Sequence, residues 1–186
     1  MAFSTIGRML RRVRADQSKS VANDPAVRTA GRMMLSSPAF DDGGAIPTVN
    51  SATRAGDNRS PALNWSGVPG GTQQLLLIIE DVDVPFPRPL IHSIAVLSPA
   101  ATQVTEGALV TSNHEIRFAP AGLGRRGYQG PAPIPGHGPH HYGFHLYALD
   151  LAIPASTERK GIKGVLSAVD GHVLAAAHLI GTHEQG

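Results

Sequence analysis

The run Leu75-Leu76-Leu77-Ile78-Ile79 is apolar at every position and gives way at once to Glu80, Asp81 and Asp83. Successive side chains of a strand point to opposite faces, so an unbroken apolar run belongs inside a sheet that is covered on both sides. The chain must therefore supply cover for two faces. It must also deliver three carboxylates at the strand's C-terminal end.

Two further strands are legible. Over Ile91 to Leu97, alternation places His92, Ile94 and Val96 on one face and Ser93, Ala95 and Leu97 on the other. Over Tyr142 to Leu149, it separates Tyr142, Phe144, Leu146 and Ala148 from Gly143, His145, Tyr147 and Leu149. From Phe40 onward, short apolar runs are divided by turn signals such as Asp41-Asp42-Gly43-Gly44 and Ala55-Gly56-Asp57-Asn58. Near the C-terminus, Val165, Leu166, Val169, Val173, Ala176, Ala177 and Ile180 trace a helical stripe that predicts one helix closed by Gly181. The pattern is that of a mostly β domain with a helix packed on its sheet.

The first third reads differently. Arg8, Arg11, Arg12, Arg14 and Lys19 against Asp16 give residues 1–19 a net charge of +4, which leaves −2 on the remainder. Ile6, Met9, Leu10 and Val13 recur at helical spacing among those arginines, predicting a short amphipathic helix that packs on the surface or between two copies. Ser18 to Asn23 reads as a polar linker. We expect an extension over residues 1–33 and a single domain over residues 34–186, a length suited to one core. Without a basic stripe interleaved with aromatics outside the arm, nucleic-acid binding is not expected. There are no cysteines, which excludes disulfides, thiolate metal sites and thiol nucleophiles. No apolar run is long enough for a signal peptide or membrane span, so a cytoplasmic protein with no stable membrane insertion is expected.

The candidate site joins two segments. Asp81-Val82-Asp83-Val84-Pro85 with His92 supplies carboxylates and an imidazole; Gly127-Tyr128-Gln129-Gly130-Pro131-Ala132-Pro133 with His140-His141-Tyr142 supplies a stiff loop, more imidazoles and hydroxyls. Asp81 and Asp83, two apart, share a side if the strand continues, and His92 and His140 are the natural donors to them. A carboxylate that orients an imidazole leaves the other ring N–H for a small anionic or zwitterionic ligand. Read as a metal site, His137, His140 and His141 with Asp81, Asp83 and His92 would offer nitrogen and oxygen donors, but the spacing is not that of a metalloprotease helix. Nor does Ser60 sit in a Gly-x-Ser-x-Gly elbow. No catalytic residue, metal or cofactor is expected.

The order of these motifs resembles the phosphatidylethanolamine-binding protein family, in its prokaryotic Raf-kinase-inhibitor-like branch. The resemblance runs from about Leu35 to Gly181 and rests on five collinear blocks. These are Phe40 to Pro47, Asn58 to Pro69, Asp81 to Pro85, Gly127-Tyr128-x-Gly130-Pro131 with His140-x-Tyr142, and the closing Gly171-His172-Val173-Leu174-Ala175. It implies two antiparallel β-sheets with Greek-key connections, a few short helices including a C-terminal one, and an anion pocket at one end. The family's pocket positions fall on Asp81, Asp83, Pro85, His92, Gly130, Pro131, His140 and Tyr142. It also implies a phosphate, phosphorylated head group or carboxylate as ligand, a kinase or protease as protein partner, and a homodimer. Alternatives are a metal-assisted hydrolase and an interaction module with an incidental pocket. This chain departs from the family at Leu90-Ile91-His92-Ser93, where relatives carry tryptophans around the histidine. Two other departures are His141, where arginine is common, and Val82, where proline is usual.

Overall fold

The computed structural model describes residues 2–186. The apolar run forms β3 (Gln74–Asp81), the middle strand of a five-stranded sheet. On one side lie β4 (Leu90–Leu97) and the short β6 (Arg117–Phe118); on the other lie β7 (His140–Leu149) and β8 (Val173–His183). A smaller sheet places β2 (Leu63–Ser66) between β1 (Met34–Ser36) and β5 (Gln103–Val104). Every paired strand is antiparallel. In the large sheet β3, β4 and β6 are successive neighbours and β7 returns beside β3, which is a Greek key.

Alternation along β3 builds two cores. Leu75, Leu77 and Ile79 join Phe144, Leu146 and the small sheet's Leu63 and Trp65; Leu76 and Ile78 join Ile94, Val96, Tyr147 and Leu149 on the opposite face. That second face is covered by α3 (Gly161–Val169), through Val165 and Val169, and by Val21 and Val27 from the first third of the chain. A single turn, α2 (Ala155–Glu158), precedes α3. The faces expected for β7 are the ones observed, and β3 is covered on both sides as its apolar run requires.

The long terminal helix is not. The helix stops at Val169, Gly171 turns the chain at φ +78°, and residues from Val173 onward pair with β7 along its length. Without this partner, the ten residues of β7 would leave a row of buried backbone groups unbonded on that side. That requirement overrides the weak strand preference of the alanines. Ala175, Ala177 and Leu179 then face the intersheet core, with Ala176 on the other side.

The first third is also built differently from its expected form. A helix, α1 (Ala2–Leu10), is present, but it buries Gly7 while Ile6, Met9 and Val13 stay exposed. A Cβ at Gly7 would stand 2.0 Å from the Pro135 carbonyl oxygen, so only glycine admits this close approach. Residues 18–23 are no linker. Asp16, Ser20 and Asp24 each cap a one-turn 3-10 helix by accepting the amide N–H two residues on, and these turns seat Val21 and Val27 in the core.

Candidate functional site

At the end of β3, alternation sends Glu80 and Asp81 to opposite faces, each buried and each met by one histidine that contacts a second. The Asp81 side carries the expected pocket. Asp81 Oδ2 accepts from His140 Nδ1 at 2.7 Å, and Asp81 Oδ1 accepts the Asp83 amide at 2.8 Å. Behind His140 stands His137, fully buried, its Nδ1 2.6 Å from His140 Nε2 and its Nε2 2.8 Å from the Leu10 carbonyl.

These contacts assign the protons. His137 must donate from Nε2 to the Leu10 carbonyl, which leaves Nδ1 as its acceptor nitrogen, so the hydrogen in the short contact between the two rings belongs to His140. His140 therefore donates from both nitrogens, to His137 and to the Asp81 carboxylate. Burial, then the Arg14 and His140 charges, push the His137 pKa down, in keeping with its acceptor role. His140 has no N–H left for a ligand.

The other expected donor, His92, is placed by a bulge. Ile79 and Glu80 are consecutive on β3 but pair with Ser93 and Ile91, leaving His92 as the extra residue of β4. It consequently leaves the face of Ile94 and Val96 that simple alternation predicts, and its ring meets the edge of Tyr142 at 5.4 Å. His92 Nδ1 donates to the Gln129 carbonyl at 2.8 Å, while Nε2 is buried with no partner among the described residues. Burial lowers its pKa, outweighing the help of the Gln129 carbonyl and the Asp81 charge. The Tyr142 hydroxyl is likewise buried without a hydrogen bond of normal geometry among the described residues, its ionisation suppressed by burial and then by the charge of the neighbouring Asp81 carboxylate.

Asp81, Pro85, His92, Gly130 and His140 line one cavity of about 200 Å³. A Cβ at Gly130 would stand 2.2 Å from the Asn50 carbonyl oxygen, so this wall needs glycine. Three expected residues stand behind the lining. Pro131 braces the loop, its carbonyl accepting the Ala52 amide at 2.8 Å; Tyr142 backs His92; and Asp83 faces away. Asp83 pairs with His141 rather than with His92 or His140, accepting its amide and its Nδ1–H at 2.7 Å each. Tyr128, a candidate hydroxyl donor, spends its O–H on the Asn50 carbonyl at 2.9 Å.

Several site residues escaped the sequence reading. Arg14 reaches in from beyond α1, with Nη1 3.6 Å from Asp83 Oδ1 and Nη2 donating to the His137 carbonyl at 3.1 Å. It brings a fixed positive charge to Asp83, the carboxylate that His141 also meets. Asn58 sits at φ +53° and accepts the Gly130 amide at 2.7 Å; an asparagine in a turn was its available signal. The mouth is apolar, with Val84, Phe86, Leu90 and Leu123 around it, while Arg125 and Gln129 hydrogen-bond each other at 3.1 Å on the rim. Among the described residues no three histidine, aspartate or glutamate side chains converge as a metal site requires. Each site imidazole is instead committed to a carbonyl, a carboxylate or another ring.

Comparison with known proteins places this geometry. The family model described as phosphatidylethanolamine-binding protein matches residues 36–184. A UPF0098 protein of Chlamydia muridarum is 38% identical over 160 residues, covering 82% of this chain and 99% of the relative. The solved structure of the PEBP homologue CT736 from Chlamydia trachomatis is 34% identical, with TM-score 0.73, and covers 84% of this chain and all of that one. Escherichia coli YbcL shares the fold at TM-score 0.73 and 23% identity, with the same coverage. Arg14 precedes the matched span.

Proposed function

The chain belongs to the phosphatidylethanolamine-binding protein family, and on that premise we propose that it is a binding protein for small phosphate- or carboxylate-bearing molecules with an aliphatic body. The observation that carries this reading is His92 Nε2, a buried polar atom with no partner among the described residues, on a residue that lines the polar end of a cavity whose mouth is apolar. Buried polar groups are almost always satisfied, and an unsatisfied one facing or backing a cavity points to a ligand.

The chemistry follows from the hydrogen bonds. His92 already donates from Nδ1, so it can donate to an oxyanion only after taking a proton on Nε2. Asp81 is shielded by His140 and the Asp83 amide, which limits its repulsion of an anion. His92 is bonded to a backbone carbonyl and not to a serine hydroxyl, so the pocket offers no base-activated nucleophile of that kind. The reading is therefore capture of an anion without chemistry upon it.

Calorimetric titration with inorganic phosphate and with a short alkyl phosphate tests this. Each buried methylene adds about 0.8 kcal/mol, so the alkyl ester should bind more tightly, and Leu90→Asp should remove that advantage. Failure of both ligands to bind, or an alkyl preference untouched by Leu90→Asp, would overturn the assignment.

A further inference from the structure

On the opposite face of the large sheet, Glu80 anchors a second polar assembly. Its carboxylate accepts from the Ser20 hydroxyl, from the Val21 amide at 3.1 Å and from His145 Nε2 at 3.0 Å. Burial alone would raise the Glu80 pKa, but the His145 hydrogen bond and charge, with Ser20 and Val21, outweigh it and hold the group ionised. His145 Nδ1 in turn lies 2.9 Å from Nδ1 of His178, an exposed residue of β8.

His178 opens into a cleft of about 200 Å³ between the segment 22–32 and strands β7 and β8. Arg28 and Arg32 line it, and neither makes an ion pair or side-chain hydrogen bond among the described residues. The Tyr147 hydroxyl, from a side chain only 1% exposed, also lines it and has no partner among the described residues. Asp24 is the one carboxylate in the lining, and one of its oxygens is taken by the Ala26 amide at 2.9 Å. Two guanidinium groups thus share the lining with one partly committed carboxylate, while beneath them the buried Glu80 charge acts on the Tyr147 hydroxyl ahead of that of Asp24. His178 presents an exposed edge to this cleft, but its ring is packed against β7; that partial burial, then the charges of His145 and Arg32, push its pKa down to about 4.

We propose that this cleft is a second oxyanion site, distinct from the family pocket, which takes a phosphate monoester or a carboxylate on Arg28 and Arg32 with the Tyr147 hydroxyl donating from the floor. Paired guanidinium forks match the planar edges of these groups, and Tyr147 supplies the buried donor that otherwise has nothing to bond. His178 completes the site. With one ring nitrogen bonded to His145, its other nitrogen faces the cleft and can take a proton when a bound anion offsets the Arg32 charge. Arg28 and Arg32 both precede the span matched by the family model, so the site joins two cations from the first third of the chain to Tyr147 and His178 of β7 and β8.

Histidine-detected NMR on the full chain is the test, with inorganic phosphate as one probe and acetate as the other. Phosphate should raise the His178 pKa by a unit or more, and calorimetry should count two phosphates per chain. In the double variant Arg28→Ala/Arg32→Ala both the His178 response and the second phosphate should vanish, while the first pocket still binds. Tyr147→Phe should weaken the second site about tenfold, the effect of losing a hydrogen bond to a charged group. A response to phosphate alone assigns the site to phosphate monoesters, and one to both probes assigns it to oxyanions generally. No His178 response to either probe, or one that survives the double substitution, overturns the proposal. Both arginines are exposed, so the variants should fold; Arg32→Gln, which should at least halve the response, provides a milder check.

Discussion

Binding in the first pocket should be driven by acid, and the slope is calculable. Nδ1 of His92 is occupied by the Gln129 carbonyl and Nε2 is bare, so each oxyanion captured there must bring one proton with it. Above the pKa of the free site, uptake of one proton makes Kd fall tenfold per pH unit, about 1.4 kcal/mol. From pH 8 to pH 6.5 the gain is about thirtyfold, roughly 2 kcal/mol. Because burial depresses the His92 pKa below its ordinary 6.5, the affinity should go on rising below pH 6.5, where an unperturbed histidine would level off. Sulfate is the probe to use, since its charge is constant over this range while that of phosphate is not. Calorimetry in buffers of different ionisation enthalpy should count one proton taken up per sulfate bound. His92→Gln, which keeps a polar side chain of similar reach but cannot titrate, should flatten the profile. A wild-type affinity independent of pH, or a slope that persists in His92→Gln, refutes the assignment of the proton to this ring.

Three other outcomes are expected. Glu80→Ala strands His145 and leaves the Ser20 hydroxyl and Val21 amide buried without an acceptor; urea unfolding should show a loss of about 3–5 kcal/mol, with phosphate affinity in the first pocket little changed. A chain starting at Thr29 removes Ser20, Val21 and Val27 and should be destabilised by a comparable amount, whereas a loss below about 1 kcal/mol would mean the first third is a dispensable appendage. Gly7→Val drives a side chain into the Pro135 carbonyl, so α1 should detach and trypsin should cut rapidly at Arg11 and Arg12, with the core of the protein intact on gels.

What the sequence disclosed depended on whether a pattern had one physical reading. The Leu75–Ile79 run and the alternation of Tyr142 to Leu149 had only one, and they fixed the central strands with their faces. The stretch from Val165 to Ile180 had two, because small apolar residues satisfy a helical stripe and a strand alternation alike, and only the open edge of β7 chose between them. Alternation along β4 puts His92 on the wrong face, since a one-residue bulge leaves no mark in composition. Asp83 was paired with the wrong histidine for a related reason: the chain stops being strand after Asp81, so the same-side rule lapses there. Arg14 and the Ser20 to Val27 turns lay in a segment whose polarity suggested solvent. Its hydroxyl and carboxylate groups were in fact spent on capping its own backbone.

The neighbouring carboxylates at the end of β3 impose a constraint on how this chain can change length. Glu80 and Asp81 are joined by one peptide bond yet serve chambers on opposite sides of the sheet. Inserting or deleting one residue within β3 would exchange their sides, placing Glu80 before His140 and Asp81 before His145, and would invert every leucine behind them. Two polar chambers and two cores would fail together. Point substitutions can alter either chamber by itself, but drift in the length of this strand cannot be repaired by any single compensating change, so variation must accumulate in the loops instead.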